Sequence, residues 1–396
     1  MPEPKTISTK HAPEAEELKL DPLDAPDARL GDKLDEKFDP EDEYRPEPAA
    51  DPLPPAWMDG SLRIGIHASI SGSYVNALES ARKLGCNALQ IFSASPRMWA
   101  GGPSRIPDSD AAAFRARREE LGLGPLVIHA NYLINLAGTQ PMLRTRSIQA
   151  FHDELVRGIA LGADFLVVHP GARGEAKIES AIATIIESVK EASRRVPLGQ
   201  LRILIENTAG MGSAVGSRLE EVAAITKGLS ALGSAVCLDT AHLFAAGYDI
   251  GSAAGLESTI SQIEQTVGLE NVYVWHVNDS KIPLGGRVDR HENIGRGKIK
   301  AEAFARILQH PKLGAGITSG MPGRAFILET PIEEPGDDRK NVAKLWELAE
   351  VEGPSVEKGF SMLTAALKKK LTAHRKEAAK TAKETAKKIL NKKKKG

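Results

Sequence analysis

The chain has 396 residues, with 52 Lys and Arg against 52 Asp and Glu, and two cysteines. No stretch approaches the ~18 uninterrupted apolar residues of a membrane span. The start, "MPEPKTISTKHAPEAEE", lacks a signal peptide's apolar centre, and no CxxC pair occurs. Together these exclude a membrane protein and a disulfide scaffold, and they predict a soluble intracellular protein.

The neutral total hides a segregation. Residues 1–60 carry 17 Asp and Glu against 7 Lys and Arg, residues 360–396 carry 13 Lys and Arg against 2 Glu, and the remainder stands at −1. In chain order, the Pro- and acid-rich stretch over 1–60 has too few apolar clusters to offset its ordering entropy and reads as a disordered tail. Eight short apolar runs follow: "LRIGIH" ending at His67, "ALQIF" before Ser93, "LVIH" at His129, "FLVVH" at His169, "ILIE" at Glu206, "AVCLD" at Asp239, "VYVWH" at His276 and "FILE" at Glu329. Such Val/Ile/Leu runs suit strands buried on both faces, as in a parallel sheet.

Between the runs lie stretches with helical spacing, among them "SYVNALESARKLG", "MLRTRSIQAFHDELVRGIALG" and "DDRKNVAKLWELAEVEG"; several end in Gly, a common helix stop. Eight alternations of strand and helix predict a single (β/α)₈ TIM barrel over 61–353, close to the ~250 residues typical of that fold. Two connections are long: "SASPRMWAGGPSRIP" after the second run and "NDSKIPLGGRVDRHENIGRGK" after the seventh. Long loops on the catalytic face of a barrel bind substrate or act as lids. The Lys/Ala-rich segment over 354–396 reads as a basic tail that binds polyanions, or as a solubilising tail without a partner.

Strand C-termini in a barrel converge on one mouth, where active sites lie. That mouth would receive His129, His169, Glu206, Asp239, His276 and Glu329. In "CLDTAH", His242 follows Asp239 by three residues, and in "RVDRHENIG" Asp289 and His291 form a D-x-H pair. One such histidine alone would more often be a structural residue. Nine candidates sharing one site would strand unpaired charge at several kcal/mol each without metal. Mixed imidazole and carboxylate suits zinc, manganese or iron better than magnesium. The set is large enough for two or three ions. His11, His152, His310 and His374 fall in tails or on helices and read as surface residues.

The segments "GIHASISGS", "QIFSASPRMW", "IHANYLINLA", "VVHPGA", "LIENTAG", "CLDTAHLFAAGYDI", "WHVNDSKIPLGGRVDRHENIGRGKI" and "FILETP" together resemble the endonuclease IV family over about residues 62–350. The first-strand loop departs slightly from the family pattern. The resemblance implies three zinc ions: His129 and His169 with Glu206, which bridges to a second ion; Asp239, His276 and Glu329 completing that second shell; and His242, Asp289 and His291 around the third. It implies cleavage of duplex DNA 5′ to an abasic site, leaving a 3′-hydroxyl and a 5′-deoxyribose phosphate. It further implies that Arg97, Tyr132 and Leu133 enter the duplex at the lesion.

The chemistry is consistent with the residues. A metal cluster supplies a water whose pKa falls to about 7, neutralises phosphoryl charge and stabilises the leaving oxygen, so no Ser or Cys nucleophile is needed. Glu206, at the bridging position, is the candidate catalytic residue. An abasic site has already lost its stacking, so opening it costs less. A monomer in the bacterial cytoplasm, associated with the nucleoid, is expected, or a nuclear protein if eukaryotic. The rival readings are a sugar isomerase or epimerase on the same barrel, and a non-catalytic DNA-binding protein acting through its Lys-rich tail.

Overall fold

Parallel strands buried on both faces must alternate between a barrel interior and a shell of helices, and this chain obeys that rule strand by strand. The computed structural model describes residues 61–96, 99, 105–314 and 324–354. The tail expected over 1–60 lies outside the described residues, as do Arg97 and all of the basic tail beyond Pro354.

The strands and helices run β1 (Arg63–His67), α1 (Tyr74–Lys83), β2 (Ala88–Phe92), α2 (Asp108–Leu121), β3 (Leu126–His129), α3 (Pro141–Leu161), β4 (Phe165–Val168), α4 (Ile178–Ser193), β5 (Arg202–Glu206), α5 (Leu219–Gly228), β6 (Ala235–Asp239), α6 (Thr240–Ala246), α7 (Ala253–Thr266), β7 (Val272–His276), β8 (Asp279–Ser280), β9 (His291–Glu292), α8 (Ala301–Gln309), β10 (Ala325–Leu328) and α9 (Asp337–Ala349). Eight of the strands close a parallel barrel in the order β1-β10-β7-β6-β5-β4-β3-β2, while β8 and β9 form a small antiparallel ribbon. The expected TIM barrel is present.

Two buried layers result. Ala88, Val127, Phe165, Val167, Leu204, Ala235, Cys237, Val274, Ala325 and Ile327 fill the interior. A larger cluster, including Leu78, Phe114, Phe151, Ile185, Ile263, Phe304 and Leu345, packs helices onto the outside of the sheet. Gly65 shows how tight the interior is: a Cβ there would meet Ala88 O at 2.6 Å and Ile327 Cδ1 at 2.7 Å. Only glycine fits that close approach. Trp346 Nε1 donates to Gly85 O at 3.0 Å and so fastens α9 to the turn after α1.

The helix stops follow the expected chemistry in part. Gly162 ends α3 at φ 68°, its N–H donating to the Gly158 and Ile159 carbonyls. Helix α6 departs from the sequence pattern. "TAHLFAA" continues the apolar run of β6, but the Asp239 carboxylate caps it by accepting from His242 N, turning the chain into a helix at once. His152 also departs from expectation: it is half-buried, and its Nδ1 donates to Ala192 O at 2.9 Å, joining α3 to α4. Cys86 and Cys237 are buried, unpaired thiols. Among the described residues no helix is long and apolar enough to cross a membrane.

Candidate metal centre

The period of two along each strand decides what enters the mouth. In β3, β5 and β7 the interior residues Val127, Leu204 and Val274 are followed two positions later by His129, Glu206 and His276. The same count from Val167, Cys237 and Ile327 reaches His169, Asp239 and Glu329. All six therefore cap the interior core from above. His242 comes in from the first turn of α6. Asp289 and His291 arrive on the β8–β9 ribbon, where Ser280 pairs with His291. Asp279 shapes that ribbon's return: its buried carboxylate accepts from Gly295 N at 3.0 Å, Gly297 N at 2.9 Å and Ile299 N at 2.9 Å.

The structure brings all nine predicted residues together. Donor atoms of His129, His169 and Glu206 form one tight group; Glu206, Asp239, His276 and Glu329 form a second; Asp239, His242 and His291 form a third. Asp289 joins the third through Oδ2, 3.3 Å from His242 Nε2, and Oδ1, 3.3 Å from His291 Nε2. Glu206 is shared by the first two groups. Asp239 is shared by the last two, an overlap the sequence did not reveal.

Spacing tests whether these groups suit metal. Two donors each about 2.0–2.1 Å from one ion at a tetrahedral angle stand about 3.3 Å apart. Glu206 Oε2 lies 3.3 Å from His129 Nε2 and 3.4 Å from His169 Nε2, and Glu329 Oε2 lies 3.4 Å from His276 Nδ1. These distances are long for N–H···O hydrogen bonds and match two donors sharing one ion. Glu206 Oε2, His242 Nε2 and His291 Nε2 are buried atoms without a hydrogen-bond partner. The donor set fits ions. One contact, His276 Nδ1 to Glu206 Oε1 at 2.8 Å, is short enough for a direct hydrogen bond.

The far side of each ring sets its tautomer. His129 Nδ1 donates to Ala130 O at 2.8 Å, His242 Nδ1 to Asn207 O at 3.0 Å and His291 Nδ1 to Glu329 O at 3.3 Å, each leaving Nε2 toward the centre. His276 is reversed. Its Nε2 donates to Gln90 Oε1 at 2.8 Å, turning Nδ1 toward the centre, where it meets Glu206 Oε1.

Gln90 is the residue sequence reasoning missed. It is fully buried in β2 and its amide nitrogen donates to His67 Nδ1 at 2.9 Å and to Glu329 Oε1. One side chain thus holds His67, His276 and Glu329. Its signal was available: a lone amide inside the apolar run "ALQIF", where an unpaired polar group would be costly. Asn278 acts similarly, donating to Asp239 Oδ2 at 2.6 Å and accepting from Glu329 N at 2.8 Å. Gln90→Leu keeps the volume but removes these bonds, and it is expected to weaken divalent-metal affinity roughly 10–100-fold. Competition with a chromogenic chelator reads this; parental affinity would show that His276 and Glu329 need no such support.

Charge at the centre is finely opposed. Burial disfavours an ionised Glu206, yet His169, His276 and His129 carry its carboxyl well below the usual range. Burial likewise opposes a charged His242, but Asp239 and Asp289 push it up to about 10. Asp289 falls to about 2 against burial, chiefly through the His242 ring beside it. Burial drives the Cys237 thiol up to about 12; its sulfur lies with Glu206 and His276 in a further group of donor atoms beneath the nine.

Of the residues expected to touch substrate, Tyr132 is 61% exposed on the loop after β3 and Leu133 is half-buried beside it. The Tyr132 ring stands edge-on to Phe92 at 5.2 Å and 5.9 Å from the His129 ring, so it overhangs the first donor group.

Barrel, crossover helices and a donor-lined mouth define the class: the model of the xylose isomerase-like TIM barrel family matches residues 78–347. A protein of Solibacter usitatus named "Probable endonuclease 4" is 48% identical over 292 residues, spanning 73% of this chain and 97% of its own. The crystal structure of endonuclease IV from Thermus thermophilus is 38% identical, with a TM-score of 0.62 over 73% of this chain and 99% of that one. This chain belongs to the endonuclease IV family, which is metal dependent. A D-tagatose 3-epimerase-like protein, 18% identical with a TM-score of 0.54 over 73% of this chain and 97% of its own, shares the fold.

Proposed function

We propose that the protein is a zinc-dependent endonuclease that hydrolyses the phosphodiester bond 5′ to abasic sites in duplex DNA, leaving a 3′-hydroxyl and a 5′-deoxyribose phosphate. The observation that carries this is the convergence of nine His, Asp and Glu side chains in three overlapping groups in a chain of this family. His129, His169 and Glu206 would hold one zinc, Glu206, Asp239, His276 and Glu329 a second, and His242, Asp289 and His291 a third. Bound zinc supplies charge neutralisation at the phosphate and a water of lowered pKa.

The chain's own residues do the remaining work. Glu206, its carboxyl held ionised by the surrounding histidines, would orient the attacking water, whose proton passes to solvent. The water oxygen bonds to phosphorus, the P–O3′ bond breaks, and the departing O3′ is protonated. Arg97, Tyr132 and Leu133 fill the gap left by the missing base. The distribution of exposed apolar side chains among the described residues supports a duplex docked on the mouth: Tyr132, Met142, Leu143, Met211, Leu284 and Ile332 lie on βα loops or the helix start that follows, and only Val351, beyond α9, does not. A histidine-rich donor set favours this reading over a sugar epimerase on the same barrel. We place the monomer in the compartment holding DNA, the cytoplasm of a bacterium.

The test is a 5′-labelled duplex with one abasic site. A single cut whose 3′ end a polymerase extends is expected; an intact duplex together with turnover of a ketose would overturn the assignment. The basic tail gives a second expectation. Residues 360–396 hold 13 Lys and Arg against 2 Glu, and each phosphate neutralised adds roughly 0.9 to the slope of log affinity against log salt. Deleting them should flatten that slope and weaken binding to undamaged DNA more than it slows incision at saturation. Identical slopes would show that the tail adds nothing to DNA affinity.

A further inference from the structure

Helix α3 carries two charges that the metal centre does not use. Glu154 is 2% exposed and Arg157 4% exposed, an ion pair with Arg157 Nη2 3.3 Å from Glu154 Oε1. Burying such a pair costs several kcal/mol per ion unless further hydrogen bonds satisfy it. Those bonds go to two loops at the mouth.

The first is the loop after β2. The fully buried Ser93 hydroxyl donates to Glu154 Oε2 and accepts from Arg157 Nε at 2.7 Å. The second is the loop after β3, where the Asn131 backbone N–H donates to the Glu154 carboxylate. The loops are also tied directly, by Asn131 Nδ2 donating to Ser95 O at 3.0 Å. Asn131 Oδ1 in turn accepts from Leu133 N at 2.8 Å. Phe92, adjacent to Ser93, supports the Tyr132 ring edge-on.

We propose that Glu154 and Arg157 are positioning residues for lesion recognition: through Ser93 and Asn131 they lock the β2 and β3 loops into one platform that presents Tyr132 and Leu133 to the duplex. The proposal rests on the reading above, in which those two side chains enter DNA. The polar links run from a rigid helix to the two loops without a bond to any of the nine donors; only at the tip do the Phe92 and Tyr132 rings lie against His129, at 5.7 and 5.9 Å. Loss of the clamp therefore affects lesion binding and leaves chemistry in place, because an unfixed loop must be ordered at each encounter.

Ser93→Ala is the cleanest probe, since it removes the hydroxyl and keeps the Glu154–Arg157 pair together; Glu154→Gln is the second variant. Both are measured beside Tyr132→Ala on a duplex with a tetrahydrofuran abasic analogue and 2-aminopurine opposite it. For Ser93→Ala, affinity for the lesion should fall on the order of tenfold and the 2-aminopurine signal should weaken. Zinc content, affinity for undamaged duplex and kcat should stay within about twofold of the parent, because Ser93, Glu154 and Arg157 bond to one another and to none of the nine donors. Glu154→Gln should move the same quantities further. If Tyr132→Ala weakens lesion binding while Ser93→Ala and Glu154→Gln do not, or if they lower only thermal stability or kcat, the clamp is merely structural and the proposal fails alone. If Tyr132→Ala also leaves lesion affinity unchanged, insertion itself is wrong and the proposal falls with it.

Discussion

Replacing Glu206 with Gln is expected to slow incision of an abasic duplex by at least roughly 10³-fold, about 4 kcal/mol of lost transition-state stabilisation, with the fold retained. No other side chain at the centre faces so many donors. Oε1 lies 2.8 Å from His276 Nδ1 and 3.6 Å from His242 Nδ1, and Oε2 lies 3.3 Å from His129 Nε2 and 3.4 Å from His169 Nε2. The amide keeps the volume, so the fully buried site neither collapses nor opens a cavity. It offers one oxygen where two are needed, and it turns N–H donors toward imidazoles. Bound metal should fall as well. Single-turnover incision with elemental analysis reads both quantities, and a variant that cuts at the parental rate would remove Glu206 from the chemistry.

Changing Tyr132 and Leu133 together to Ala should weaken binding to abasic duplex by about 10–100-fold, since stacking on an aromatic ring contributes ~1–3 kcal/mol per base. Bound zinc should not change, because neither side chain offers a donor to the three groups. A folded barrel has little reason to leave a tyrosine 61% exposed immediately above a buried histidine layer. Equilibrium binding to abasic and intact duplexes separates recognition from general electrostatics. Equal affinity of variant and parent for the lesion would end the insertion reading.

The barrel was legible because strands covered on both faces write uninterrupted apolar runs, and because in a parallel barrel those runs all end at the same mouth. His129, Glu206, Asp239 and His276 are the last residues of their strands, while His169 and Glu329 lie one position beyond theirs. The supports were harder to read. Gln90 reaches the donor layer because β2 is staggered so that Gln90 pairs with His67, and register across a sheet is not written in either strand alone. Glu154 and Arg157, three apart on a helix, look like a solvent-facing pair; only the packing of α3 against the β2 loop buries them. In "TAHLFAA" the apolar run masked the start of α6, which depends on Asp239 acting both as cap and as member of the donor set.

Incision of a duplex carrying one abasic site, measured on the purified protein, after chelation, and after zinc is restored, decides whether the barrel mouth is a zinc-dependent nuclease. A single cut 5′ to the lesion is expected, with its loss on chelation, its recovery with zinc, and close to three zinc ions per chain, one for each His/Asp/Glu donor group. Cutting that survives chelation, or one bound ion per chain, would contradict it.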